Sequence, residues 1–449
     1  MLLLILIHLI ILVIYPDDDS GECRTQLHQD ERQWMSTKQG YRHIASKLTD
    51  HDEDDGECRA VHLWTVVRHG TRYPSRDAIT LMTEDLPQLR DKILRQNNSS
   101  LCNQDLELIK NWKVNIESDW SKTLHKEGEE EMVLLGRRWL NRFPHLLDQY
   151  DPELFHLRST DTQRSLRSGQ SFVSGLWSRD VLPETDWHVV TSGHDPLIRF
   201  YKICDARIKQ VKKNKAANKE KELFEKSETM NSVERSVSSV LGLDISMTDL
   251  DMMYMMCNFD LAWSSSPSPW CRVFSDHDLQ VMEYREDLEY YWIDGPGYTV
   301  TREAACVLVK DVVTKFRNIV SEGDRSKGSF YFTHSGTILK LLAYLNIFND
   351  KESLRSDNFA KMNNRLWRTS YLGPFGANIA FVLKSCSDSD HTVGLYINEQ
   401  LTLVPGCDHL WCPLSHFLQL YPDIDDCDLN KICEDDSVED TIPVPDDKY

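Results

Sequence analysis

Residues 66–77 read VVRHGTRYPSRD, and the fold follows from how this stretch joins what precedes it. Residues 61–67 are an apolar run that predicts a buried strand, and the run stops at Arg68, His69, Gly70, Thr71, Arg72, Tyr73 and Pro74. Chemistry-bearing side chains are therefore expected at the carboxyl end of a strand. Arg68 and Arg72 each offer a planar guanidinium that can grip a phosphate through paired N–H donors. A neutral imidazole at His69, between them, is suited to attack a phosphorus whose oxygens are already neutralised. The phosphohistidine so formed would split one difficult displacement into two. Gly70 predicts a sharp turn and a close approach of the backbone to the ligand. Pro74 suits the first turn of a following helix, whose N-terminal dipole also favours an anion.

The chain has 449 residues, enough for a sizeable core with insertions. Its formal charge of −20 argues against a nucleic-acid partner and against steering of a polyanion by the overall field. An anion site must then be a local arginine cluster. Residues 1–15 begin with MLLLILIHLIILVI, shorter than the roughly 20 apolar residues of a membrane span, and read as a secretory signal peptide, with no membrane span in the mature chain. Twelve cysteines, none in that segment and none in a C-x-x-C pair, fit disulfides in an oxidising compartment better than zinc. Asn97 and Asn98 head overlapping glycosylation sequons on a polar stretch. No apolar tail closes the chain, so no lipid anchor is expected, and the final DDKY is not a retention signal. The leader, cysteines and sequons predict a secreted protein, or one in the lumen of the secretory pathway such as the endoplasmic reticulum.

Residues 16–58 are acidic and polar and read as a surface arm, with Cys23 and Cys58 as pins. In LGRRWLNRFPHLL, Leu135, Trp139, Leu140 and Phe143 fall at helix spacing before Pro144. Phe155 to Ser159 predicts a short strand and Asp161 a helix cap, after which Leu166, Gly169, Val173 and Leu176 share a face and Arg164 lies in the first turn. The mixed-charge run within 205–236 reads as a solvated helix or excursion. The Met-rich DLDMMYMMCNFDLAW reads as core packing. Asp294, Gly295, Pro296 and Gly297 form a breaker before a helix over 301–322. SFYFTHSGTILKLLAYLNIF, residues 329–348, repeats the opening design: an apolar strand ends at His334, Gly336 allows a turn, and a helix begins near Thr337. Residues 370–386 and 395–407 read as paired strands. Together these segments predict an α/β protein: a mixed, mostly parallel sheet flanked by helices, built from 59–90 and 300–420. A mostly α-helical subdomain is inserted over 91–299, and an acidic tail occupies 421–449.

Arg68, His69, Gly70, Arg72 and Pro74 match, position for position, the Arg-His-Gly-x-Arg-x-Pro motif of the histidine phosphatase superfamily, acid phosphatase and phytase branch, which the chain resembles. The resemblance implies that His334 is the second histidine of the pocket, a phosphate ligand. It also implies that Arg164, eight residues before Phe172, completes the phosphate site with Arg68 and Arg72. Arg158, Asp161 and Arg167 are left outside it. From about residue 58 to 420 the order of segments looks like the multiple inositol polyphosphate phosphatases. The implied activity is dephosphorylation of inositol polyphosphates through a phosphohistidine on His69, with no cofactor and no metal. A broad-specificity secreted acid phosphatase and a catalytically weakened inositol-phosphate binder are the alternatives. The departure lies after His334: the superfamily carries His-Asp, or His-Ala-Glu, whereas here Ser335 and Gly336 follow, so the sequence assigns no proton donor.

Overall fold

The computed structural model describes residues 34–434, apart from 49–56, 192, 265, 267, 388 and 389. The first strand, β1, runs Cys58–Arg68; β2 is Phe155–Thr160, β3 Trp187–Val190, β4 Gly328–Thr333, β5 Asn378–Cys386, β6 His391–Ile397, β7 Gln400–Thr402 and β8 Trp411–Pro413. They form one mixed sheet in the order β3-β2-β4-β1-β5-β6-β7, with β8 also on β6. The β3-β2, β2-β4 and β4-β1 pairs are parallel, whereas β5 to β8 join in antiparallel fashion. The parallel half carries the site.

Every residue of β4 is buried, as expected of a central parallel strand covered on both faces. Along β1 the faces alternate: Leu63 and Val67 join one core cluster, Trp64 and Val66 the other. The longer helices are labelled α1 (Lys126–Arg142), α2 (Gln163–Trp177), α3 (Glu228–Leu241), α4 (Met247–Trp263), α5 (Asp276–Ile293), α6 (Cys306–Arg317) and α7 (Ser335–Tyr344). On the Leu63 face, α1 and α2 cross closely, because a Cβ at Gly136 would lie 2.3 Å from the Phe172 carbonyl oxygen. Trp64 and the other face are covered in part by α6 and α7. The Met-rich α4 is apolar on nearly all sides, and Met252, Met253, Met256 and Phe259 are all core.

Several expectations are corrected. Residues 91–299 also contribute β2 and β3 to the central sheet, so this mostly helical span is not separate from the α/β core. The described part of the arm is no surface segment: Met35, Tyr41 and Ile44 are buried, and the Tyr41 hydroxyl donates to Glu399 at 2.9 Å. Residues 421–434 are stapled to the body by Cys306–Cys427 and Cys204–Cys433 rather than trailing as a tail. The helix expected over 301–322 is broken: Thr299–Glu303 and α6 are separate. Cys58 pairs with Cys386 across β1 and β5, while Cys23 and the leader lie outside the described residues. Cys257–Cys271 and Cys407–Cys412 are also bonded. No helix among the described residues is long and apolar enough to cross a membrane. Asn97 and Asn98 are exposed in the loop after the helix ending at Ile93.

Candidate active site

β1 and β4 are adjacent and parallel, with Arg68 in register with Thr333, so the residues that follow the two strands meet. The His69 N–H donates to the Thr333 carbonyl at 3.0 Å. The rings of His69 and His334 lie edge to face with centroids 5.5 Å apart. β2, on the other side of β4, ends at Thr160, whose Oγ1 is 3.2 Å from His334 Nε2. Arg164, in the first turn of α2, donates from Nη2 to His334 Nδ1 at 3.4 Å. Three neighbouring parallel strands thus deliver their chemistry to one edge of the sheet.

Hydrogen-bond partners fix the tautomers. A carbonyl only accepts, so His69 Nδ1, 2.9 Å from the Gly70 carbonyl oxygen, carries the hydrogen and Nε2 keeps its lone pair. A guanidinium only donates, so His334 Nδ1 is bare and Nε2 donates to Thr160. Burial, then Arg68 and Arg164, holds His69 well below the ordinary histidine range. Burial, then Arg164 and Arg199, does the same for His334. Burial, reinforced by Arg72 and Arg164, pulls Arg68 down to about 9, still protonated at neutral pH. Arg68 Nη1 is anchored by the carbonyls of Thr37 and Gly373, each at 2.5 Å, and its guanidinium lies 4.4 Å from the Phe375 ring centroid. Nε of both Arg68 and Arg164 is buried without a hydrogen-bond partner among the described residues.

The turn after β1 differs from the sequence reading. Gly70 is not in the left-handed region, and what approaches it is α1: a Cβ there would lie 2.5 Å from the Gly128 carbonyl oxygen. Glu131, buried one turn further along α1, accepts from the Thr71 backbone N–H at 2.8 Å, the Thr71 hydroxyl at 3.1 Å and the Tyr41 N–H at 2.7 Å. Pro74 lies ahead of the helix rather than in its first turn. Ser75 is the N-cap of Arg76–Thr80, and the Pro74 carbonyl accepts from Lys122 N–H. Around the second motif, α7 begins at Ser335, so Gly336 sits inside its first turn with no positive φ. Asp161 is exposed and Thr162 is the N-cap of α2. Arg158 is committed to Asp195 and Arg167 to Glu129, which keeps both outside the phosphate site.

His69, His334, Arg68, Arg72 and Arg164 line one cavity of about 440 Å³. Sequence reasoning missed the other cations of its wall: Lys38, Lys122, Arg199, Lys202, Arg207 and Lys212. Arg199 and Lys202 belong to GHDPLIRFYKIC, and Lys212 to the mixed-charge run; no single one of them carries a local signature. Among the described lining residues Asp294 is the only carboxylate. A second cavity of about 450 Å³ includes Arg365 and Arg368, but both are paired with Glu283. Among the described residues no group of three or more His, Cys, Asp or Glu is arranged to hold a metal ion.

The model of the histidine phosphatase superfamily, branch 2, matches residues 61–398. The chain belongs to that superfamily. It is 30% identical over 444 residues, 95% of this chain and 92% of the relative, to multiple inositol polyphosphate phosphatase 1 of Drosophila melanogaster. It is 29% identical to the human protein of that name, over 77% of this chain and 76% of that one. Among solved structures, the phytase from D. castellii superposes with a TM-score of 0.68 at 17% identity, covering 90% of this chain and 87% of that one. The multiple inositol polyphosphate phosphatase of Bifidobacterium longum, in complex with inositol hexasulfate, gives 0.64 at 16%, covering 87% and 97%. These two likenesses establish that the superfamily fold is shared. Within that fold the two histidines and three arginines singled out by sequence converge.

Proposed function

We propose that this histidine phosphatase removes phosphates from inositol polyphosphates by transfer to His69 Nε2. The observation that carries the reading is the cavity itself. One phosphoryl group needs only the cluster of Arg68, Arg72, Arg164 and His334, yet six further lysines and arginines surround it in a chain of net charge −20. A small monoester reaches only the first cluster, whereas a ring carrying several phosphates extends to the surrounding cations as well. The names of the relatives, multiple inositol polyphosphate phosphatase among them, agree with that chemistry.

In the proposed cycle the phosphate accepts from Arg68, Arg72 and Arg164, taking over the Arg164 N–H that rests on His334. The arrival of a dianion raises the affinity of His334 for a proton, and His334 then donates to the phosphate. The equatorial oxygens are neutralised as charge redistributes. His69 attacks in line, its Nδ1–H steadied by the Gly70 carbonyl as the ring becomes cationic. Water hydrolyses the phosphohistidine. An acid phosphatase of broad specificity, or a binder with slow turnover, remains the second reading, favoured by the lack of a carboxylate at Ser335 or Gly336.

Phosphate release from inositol hexakisphosphate and from p-nitrophenyl phosphate separates these. A kcat/KM favouring the hexakisphosphate supports the proposal, and equal or reversed preference refutes it. Trapped phosphohistidine without multiple turnover would establish the slow binder. We also propose passage through the secretory pathway, which the disulfides, the apolar leader and the exposed sequons at Asn97 and Asn98 support. Glycosidase-sensitive mobility of protein recovered from culture medium tests it.

A further inference from the structure

We propose that Asp294, backed by Lys340, is the group that protonates the leaving oxygen and later takes a proton from the hydrolytic water. The inference rests on the phosphatase reading above and deepens it.

An alkoxide leaves a phosphorus poorly without a proton, and Ser335 and Gly336 supply no acid beside His334. Asp294 enters the same cavity from the end of α5. It lies over the first turn of α7: a Cβ built on Gly336 would be 3.4 Å from Asp294 Oδ2 and 3.3 Å from Lys340 Nζ. A carboxylate from another element thus stands against the position that follows Ser335. Asp294 Oδ1 accepts from Arg207 Nη2 at 3.0 Å and from Lys340 Nζ. Lys340 is completely buried; its Nζ also donates to the Gly336 carbonyl at 3.2 Å and lies 4.3 Å from the Tyr201 ring centroid.

A buried ion pair can serve the fold alone, and often contributes little to stability. This pair differs because one partner faces the reacting cavity and the other is a proton store sealed from solvent. The charged and titratable groups facing it are Arg207, Lys202 and Tyr201, with Arg199 beside Tyr201. Burial brings Lys340 down to about 7, while Lys340 and Arg207, working against burial, hold Asp294 below the usual carboxylate range. One exchangeable proton thus belongs to the pair near neutral pH.

In the first step the bond from phosphorus to the ester oxygen breaks as the bond to His69 Nε2 forms. The proton of the pair passes through Asp294 to that oxygen, leaving a carboxylate and a neutral amine and releasing the alcohol. In the second step water adds to phosphorus as the Nε2–P bond breaks. A water proton returns to the pair, and phosphate departs.

The test compares burst rates for wild type, Asp294→Asn and Lys340→Met on inositol hexakisphosphate and on 2,4-dinitrophenyl phosphate, whose phenolate leaves unaided. Both variants are expected to lose about 10²–10⁴-fold on the hexakisphosphate but less than tenfold on the aryl ester. Wild type is expected to lose rate as pH rises through about 7, and Lys340→Met should lack that limb. Equal losses on both substrates, or retained hexakisphosphate turnover, overturn the assignment. Wild type inactive on both substrates overturns the phosphatase reading and this inference with it. Should either variant fail to fold, wild type alone decides, from a series of alkyl and aryl phosphates. Phosphorylation rates nearly independent of the leaving group support an internal acid, and a steep dependence refutes it.

Discussion

Replacing Gly128 with alanine should damage catalysis from a helix that carries none of the catalytic groups. Gly128 lies in the first turn of α1, and its Cβ would stand 2.2 Å from the Thr71 carbonyl oxygen and 2.6 Å from the Thr71 nitrogen. To reach the 3.4 Å at which ordinary contact begins, the turn at 70–72 must withdraw by about 1.2 Å. Neither partner can yield locally, because both are backbone and the adjoining Gly70 also packs against the Gly128 backbone. The shift also pulls Thr71 from Glu131 and drags His69 and Arg72 with it. A misplacement of about 1 Å in a reacting group costs on the order of 10²-fold in rate. Helix propensity alone predicts the opposite sign for stability, since alanine should favour α1 by about 1 kcal/mol over glycine. Overpacking costs about 1–3 kcal/mol, so a net loss is expected. The assay is the rate of phosphohistidine formation together with thermal unfolding. A Gly128→Ala protein that keeps its wild-type rate and gains stability refutes the claim that this contact sets the position of His69.

His69→Ala should reduce turnover to background on every phosphomonoester while leaving thermal unfolding unchanged; residual activity comparable to wild type removes His69 as nucleophile. Glu131 gives a pH dependence whose sign can be worked out. Burial raises its carboxyl from an ordinary 4.5 to about 7, so its contribution to stability is fully present below 4.5 and is lost as pH rises through 7. Glu131→Gln should remove up to about 3 kcal/mol of that loss; a difference between wild type and variant that stays flat between pH 4.5 and 8 in denaturant unfolding contradicts it. Arg365 is buried against Glu283 at 2.8 Å and Asp287 at 2.5 Å. Arg365→Met leaves those carboxylates short of a cation and should cost about 3–5 kcal/mol in the same measurement, with an unchanged unfolding midpoint as the contrary result.

The two histidine segments were legible because each compresses strand, turn and ligand into about a dozen contiguous residues, where period and residue type reinforce one another. Once two such segments end in histidine, parallel pairing of β1 and β4 brings the histidines together, and the register of Arg68 with Thr333 needs no further information. Arg164 was legible only through the resemblance, since an arginine in a first helical turn is otherwise ordinary. What escaped is what depends on distance in sequence. Glu131 stands 60 residues from the Thr71 it holds, and the Arg68 guanidinium is fixed by Thr37 and Gly373, 31 and 305 residues away. Thr37 fell in a stretch whose polarity resembled an exposed arm, because Met35, Tyr41 and Ile44 are too few to outweigh its charges. In the sequence Asp294 reads as punctuation, and as the first residue of a breaker it ends α5. Its carboxylate nevertheless meets Lys340, a lysine inside an apolar helix, and that pairing is the physical clue. A fully buried ammonium requires an anion, and any segment that supplies one beside the phosphate cluster places a negative group where the local sequence had left glycine.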